Sequence, residues 1–277
     1  ISAVSGNVPV EQGAKNALYT VELCGKRTPV YKGAMGPLTR EPVWASFFHG
    51  EDGMGNMNYS PASLPLAQEN AILAFIEAVR SHAGDITLVT LGPLTNIALA
   101  VRIAPDITKK ISMCYTMGGA AGTLGNISPA AEFNVYVDPE AAKIVFHSGI
   151  LLLMVGWEHC RGRANLDDEE IAQVRSFGTK FADFALDCNA TAITTNRTWL
   201  GEPGLSLPDP VTMAIALDES ICVERSRCYV DVETSSELTR GMTVVDQLGV
   251  TQQAKNIEVC WKIDVRRWKE LLYRCLK

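Results

Sequence analysis

Residues 117–134, MGGAAGTLGNISPAAEFN, decide how this chain folds, and they follow directly on a short apolar run, ISMCYT at 111–116. A run that is short, apolar and closed by Gly118-Gly119 predicts a buried strand ending in a loop. In an open α/β sheet, the loops beyond the carboxyl ends of strands are where ligands bind. The loop sets Asn126, Glu132 and Asn134 at fixed offsets from that strand. A glutamate accepts hydrogen bonds and asparagine amides both donate and accept, so the set suits a polyol. A glycine-rich polar loop whose asparagines cap their own backbone is the other reading of the same residues.

Outward from this stretch, strands and helices alternate. Helical periodicity covers 10–23 and 66–83, and short apolar runs predict strands at 28–32 and 85–91. Pro93, at the favoured first-turn position for proline, opens a helix through Arg102. A strand at 111–117, a helix at 138–147 and a strand at 150–155 come next. Helices at 168–188 and 210–217, strands near 227–233 and 257–263 and a terminal helix from Asp264 complete the reading. Such alternation implies an α/β fold with an open, mostly parallel central sheet flanked by helices. No Pro/Ser-rich linker, charge block or internal repeat divides the 277 residues, so they read as a single domain. The nearest approaches to a dinucleotide fingerprint, GGAAG at 118–122 and GMG at 53–55, lack the G-x-G-x-x-G spacing, which argues against NAD.

At 47% apolar and 20% charged residues, the chain can bury a sizeable core. A net charge of −6 and the lack of a basic stripe argue against nucleic acid as a partner. Apolar runs such as 150–155 are too short to span a bilayer, so no membrane partner is expected. The eight cysteines, at 24, 114, 160, 188, 222, 228, 260 and 275, contain no C-x-x-C pair. Their scatter fits neither a zinc site nor a disulfide scaffold; several lie in apolar strands and read as packed thiols, with a reactive cysteine as the other reading. Sequons stand at Asn58, Asn126, Asn189 and Asn196 and would matter in a secreted protein.

The spacing M-G-G…G-N-x5-E-F-N, followed at once by VDPEAA at 137–142, resembles the inosine-uridine preferring nucleoside hydrolases, which cut the N-glycosidic bond of ribonucleosides. Further matches in the family's order are SGNV at 5–8, PVYKGA at 29–34, HGEDGMG at 49–55, LGPLTN at 91–96, Asp209-Pro210 and LTRGMT at 238–243. The family pattern opens with a strand bearing D-x-D-x-x-x-D-D and a helix, and this chain begins at the strand after them, without an initiator methionine. The resemblance therefore implies an N-terminally truncated nucleoside hydrolase-like, Rossmann-related domain. A fragment, an incomplete gene model or a processed chain would lack roughly 30 residues, most of one βαβ unit. The absent strand would sit inside the sheet and leave two neighbours with unpaired edges.

Site roles follow from the same resemblance. Asn7, Asn126, Glu132 and Asn134 would grip the ribose as it flattens toward an oxocarbenium ion. Met117 would line the 5′ side, and either stacking on Trp199 or a contact from His49 on a glycine-rich loop would serve the departing base. A calcium ion, which takes six to eight oxygens, would rest on the absent aspartates, the backbone carbonyl of Thr95 and Asp209. It would activate water for attack, with one of those aspartates as base. Many relatives place a histidine before the aspartate matched by Asp209; here Pro208 stands there and has no proton to give. The residues themselves leave other readings open: His49 as a surface-loop histidine, and Trp157 and Trp199 as core or rim residues. Asp167-Asp168 precede Glu169-Glu170 and read as a helix start rather than a substitute base. Two functions stand at this point. One is a calcium-dependent nucleoside hydrolase, weak or inactive as this chain is written, and the other is a catalytically dead nucleoside or sugar binder of the same fold. A cytoplasmic homo-oligomer, dimer or tetramer, is expected by resemblance alone.

Overall fold

The chain begins with strand β1 (Ser2–Ala3), helix α1 (Val10–Leu23), strand β2 (Tyr31–Lys32) and the one-turn helix α2 (Ser46–His49). Helix α3 (Ala71–Ser81), β3 (Ile86–Thr90), α4 (Thr95–Ile103), β4 (Ile111–Met117), α5 (Phe133–Val137), α6 (Pro139–Phe146) and β5 (Leu152–Val155) follow. The second half runs through α7 (Asp168–Ser176), α8 (Lys180–Asp187), α9 (Ala190–Thr195), α10 (Pro208–Leu217), β6 (Cys222–Val232), β7 (Thr243–Asp246), β8 (Ile257–Ile263) and α11 (Val265–Leu276). This computed structural model describes residues 1–277, apart from the side chain of Leu200.

Six strands form the main sheet in the order β3-β4-β5-β8-β6-β7. The first four are parallel, whereas β6 pairs antiparallel with both β8 and β7. The core divides by strand periodicity. Cys114, Leu152 and Met154 face a layer built with Val79, Val101 and Phe146, while Tyr115, Leu153 and Val155 face one built with Ile215 and Trp268. Neighbouring residues of β4 and β5 thus enter opposite layers, which is why these strands read as unbroken apolar runs. No helix is long and apolar enough to cross a membrane.

Strands β1 and β2 form a separate two-stranded parallel sheet. A cleft of about 860 Å³ lies between it and β3, lined by Ser2, Val4, Leu88 and Thr90 among others. Asn96 ties the small sheet to α4. Its Nδ2 donates to Ser2 Oγ at 2.8 Å and to the Ala3 carbonyl at 2.9 Å, and its Oδ1 accepts from Ala34 N at 2.8 Å. Because Asn96 is buried, Asn96→Ala strands these groups without partners and is expected to destabilise the protein by about 3 kcal/mol. Urea unfolding reads this directly, and a loss below about 1 kcal/mol would refute the tie.

Several expected boundaries move for local reasons. The helix expected over 66–83 starts only at Ala71, because the Asn70 side chain accepts from Ile72 N at 2.8 Å and caps it there. The single helix expected over 168–188 is two. Gly178 takes a positive φ of 61°, and the Thr179 hydroxyl caps α8 by accepting from Ala182 N at 3.1 Å. The strand expected near 227–233 begins at Cys222, and β7 is an addition. Strand 28–32 shrinks to Tyr31–Lys32. The helix starts at Asp138 and Asp264 hold, each side chain accepting a backbone N–H of the first turn. Asp167 forms a capping box with Glu170, which bears out the helix-start reading.

Candidate active site

The ends of the parallel strands converge on one cleft, as open α/β sheets arrange their sites. Asn7 follows β1, Leu91 follows β3, Met117 closes β4 and Trp157 follows β5, and all four line a cavity of about 290 Å³. Asn126, Glu132, Asn134, His49, Trp199 and Asp209 line it too. A single cavity therefore collects every sequence-derived site residue except Thr95.

Glu132 is buried and caps α5: Oε1 accepts from Asn134 N at 3.0 Å, and Oε2 accepts from Gly119 N at 2.9 Å and Val135 N at 3.4 Å. Gly119 can meet it because its φ is +78°, and a Cβ there would lie 2.6 Å from Thr243 Cγ2. Three N–H donors favour the carboxylate, yet burial outweighs them and pushes Glu132 up to about 7. Asn126 Oδ1 accepts from Phe133 N at 2.8 Å. Asn134 Nδ2 donates to the Met117 carbonyl at 3.3 Å and contacts Met117 Sδ at 3.1 Å. The capping reading and the ligand reading of this loop thus coexist: the backbone bonds hold each side chain in place, and the remaining lone pairs and N–H groups stay available to a hydroxyl.

Asp209 lies in the first turn of α10, where the helix dipole favours negative charge. Burial, and then the charge of Glu132, push its carboxyl up to about 7. Its carboxylate takes no hydrogen bond from the described residues, which suits a ligand-facing role. Thr95, expected to offer its backbone carbonyl, is not among the residues lining this cavity. It is buried at the start of α4 and its hydroxyl donates to Asp138 Oδ2 at 2.6 Å. The residue of that segment lining the cleft is Leu91, because the strand ends four residues before the helix begins. Calcium needs six to eight oxygens, and no group of three His, Cys, Asp or Glu that could hold a metal is found among the described residues.

His49 ends α2 and lines the cleft. Burial lowers its imidazole to about 4, so at pH 7 it is neutral and offers a hydrogen bond rather than a positive charge. The loop behind it is pinned by Asp52, whose carboxylate accepts from Met54 N, Asn56 N and Asn58 N, each at 2.8 Å. Gly55 presses this loop against α8, where a Cβ would lie 2.5 Å from the Asp187 carbonyl. Sequence reasoning missed Phe47, Phe48, Asn189 and Ser206, which also line the cavity. Phe47 packs edge-on against Trp199 with ring centroids 4.9 Å apart, and the two rings stay 45% and 61% exposed. Glu132 and Met117 are 2% exposed, so polar groups lie deep and aromatic rings form the mouth. The signal for the missed pair was the aromatic cluster Trp44, Phe47, Phe48 just before His49. Asn196 is fully buried, and Asn126 and Asn189 line the cavity, so of the sequons Asn58 is the exposed one.

The family model for inosine-uridine preferring nucleoside hydrolase matches residues 1–270. A pyrimidine-specific ribonucleoside hydrolase RihA of Shewanella sp. (strain MR-7) is 38% identical over 98% of this chain and 85% of its own length. A RihB of Shigella flexneri serotype 5b (strain 8401), also described as pyrimidine-specific, is 32% identical over 100% and 88%. Among solved structures, a purine-preferring ribonucleoside hydrolase from Gardnerella vaginalis superposes with a TM-score of 0.90 at 30% identity, covering 100% of this chain and 88% of that one. The order of strands, the cleft at their carboxyl ends and the match along nearly the whole chain agree, and the protein belongs to the inosine-uridine preferring nucleoside hydrolase family.

Proposed function

We propose that the cleft takes a ribonucleoside, with the ribose against Asn7, Asn126, Glu132 and Asn134 and the base among Phe47, His49 and Trp199, and that its N-glycosidic bond is hydrolysed to ribose and free base. The observation that carries this reading is the meeting of a buried carboxylate, three asparagines and an unpartnered Asp209 in one cavity with an aromatic mouth. Carboxylate and amide bonds to ribose hydroxyls strengthen as the ring gains positive charge, which lowers the barrier. Flat rings at the mouth suit a planar base, stacking on either face or edge. With Pro208 in place of a proton donor, the departing base would take a hydrogen bond from neutral His49. Pyrimidine ribonucleosides are the first substrates to test, since the RihA and RihB relatives are described as pyrimidine-specific. Calcium enters as an ion that Asp209 and the main chain at Leu91 would help hold, supplying an acidified water when bound.

Calorimetry of purified residues 1–277 with uridine and inosine, with and without calcium, tests both parts of the proposal. Saturable nucleoside binding is expected, with release of ribose in the presence of calcium. Absence of binding by either nucleoside would sink the substrate assignment. Binding without ribose release when calcium is present would sink the hydrolysis assignment.

A further inference from the structure

Two cysteines outside the cleft lie side by side across the antiparallel pair β6–β8. In the ladder Cys222 stands opposite Ile263 and Cys260 opposite Arg225, and the register shifts twice between Cys222 and Arg225. Irregularities of this kind re-aim side chains. Both thiols consequently join the core layer that holds Val155, Ile215 and Trp268, and their Sγ atoms lie 3.3 Å apart. Closing that gap to a disulfide bond of about 2.05 Å asks for a movement of roughly 1.3 Å, within reach of side-chain rotation. The two thiols differ in access: Cys260 is buried and Cys222 only partly so.

We infer that Cys222 and Cys260 form an oxidative modification site, a cross-strand dithiol that a low-molecular-weight disulfide converts to an intramolecular disulfide. Cys222 is the attacking sulfur. Its thiol is held below the ordinary value by the hydrogen bond it shares with Cys260 and by the Arg225 guanidinium, against burial and the charges of Glu258 and Glu219. After losing its proton to water, Cys222 attacks one sulfur of the small disulfide and releases one thiolate, which takes up a proton. Cys260 then attacks Cys222 Sγ in the resulting mixed disulfide. Its proton passes to the second departing thiolate. Two protein thiols are oxidised and one small disulfide is reduced to two thiols, so electrons and protons balance.

The test uses the full chain with the exposed Cys24 and Cys275 replaced by serine. After exposure to glutathione disulfide and alkylation of remaining thiols, non-reducing peptide mass analysis is expected to recover Cys222 and Cys260 in one cross-linked product. A bond closing a 38-residue separation should also raise the unfolding temperature by roughly 5–10 °C. Dithiothreitol should reverse the shift, and the partly exposed Cys222→Ser variant should not show it. Recovery of both cysteines as alkylated thiols, or of Cys222 as a stable mixed disulfide beside a free Cys260, would overturn the inference. The mass measurement needs no variant at either position, so it decides the matter even if Cys222→Ser folds poorly.

Discussion

Glu132→Gln is expected to weaken nucleoside binding about 100-fold, because the change removes the one buried carboxylate that the ribose would meet and turns its hydrogen bonding against itself. Each carboxylate oxygen now accepts backbone N–H groups, from Asn134 on one side and from Gly119 and Val135 on the other. A glutamine amide replaces one oxygen with a donor, which must face a backbone donor. Leaving such a buried donor unpaired costs about 1–3 kcal/mol, and a weakened cap on α5 adds about 1 kcal/mol. Hydrogen bonds to an ionised acceptor are roughly twice as strong as neutral ones, so the sugar loses most of its grip as well. Calorimetry with uridine and urea unfolding separate the two losses. Unchanged affinity in a folded Glu132→Gln protein would show that the ribose does not lie against this carboxylate.

Asp209→Asn is expected to stabilise the protein at pH 8 by about 2–4 kcal/mol and to change little at pH 4. Burial, with Glu132 adding its charge, raises the Asp209 carboxyl from 3.8 to about 7 in the folded state. Between those values the folded protein keeps a proton that the unfolded chain has already released. Stability from this group is therefore full below about 4, falls as pH rises through 7 and is flat above. Glu132, raised from 4.5 to about 7, acts in the same direction. His49, lowered from 6.5 to about 4, acts in the opposite one: its contribution is present above 6.5 and lost as pH falls toward 4. The difference between wild type and Asp209→Asn across pH isolates the aspartate from both neighbours. A gain of this kind in a variant that no longer releases ribose is the usual relation between a strained site and stability. If the two proteins unfold in parallel from pH 4 to 8, Asp209 ionises as an ordinary carboxyl and the proposed buried charge is wrong.

Much of the fold was legible because it rests on short-range rules. The runs at 85–91 and 111–117 are apolar and bounded by turn residues, and Asp138-Pro139 and Asp167 to Glu170 carry the marks of helix starts. The break at Gly178-Thr179 was written in the sequence too, as a glycine followed by a capping residue, but the apolar spacing on either side masked it. The antiparallel turn of β6 and the short β7 were not legible. Strand direction depends on which edge of the sheet remains to be filled.

The site divides in the same way. The motif 117–134 determines by itself that Asn126, Glu132 and Asn134 sit together, because α5 and its cap hold them within one loop, and the family resemblance carries Asn7, His49 and Asp209. Only the tertiary structure decides that Leu91 lines the cleft, since what the strand-to-helix turn presents depends on how α4 docks. Only it brings Phe47 against Trp199 and Cys222 against Cys260, pairs separated by 152 and 38 positions along the chain. Local sequence sets backbone conformation and caps, whereas contacts between distant segments follow from how the helices and sheet bury their apolar faces against one another.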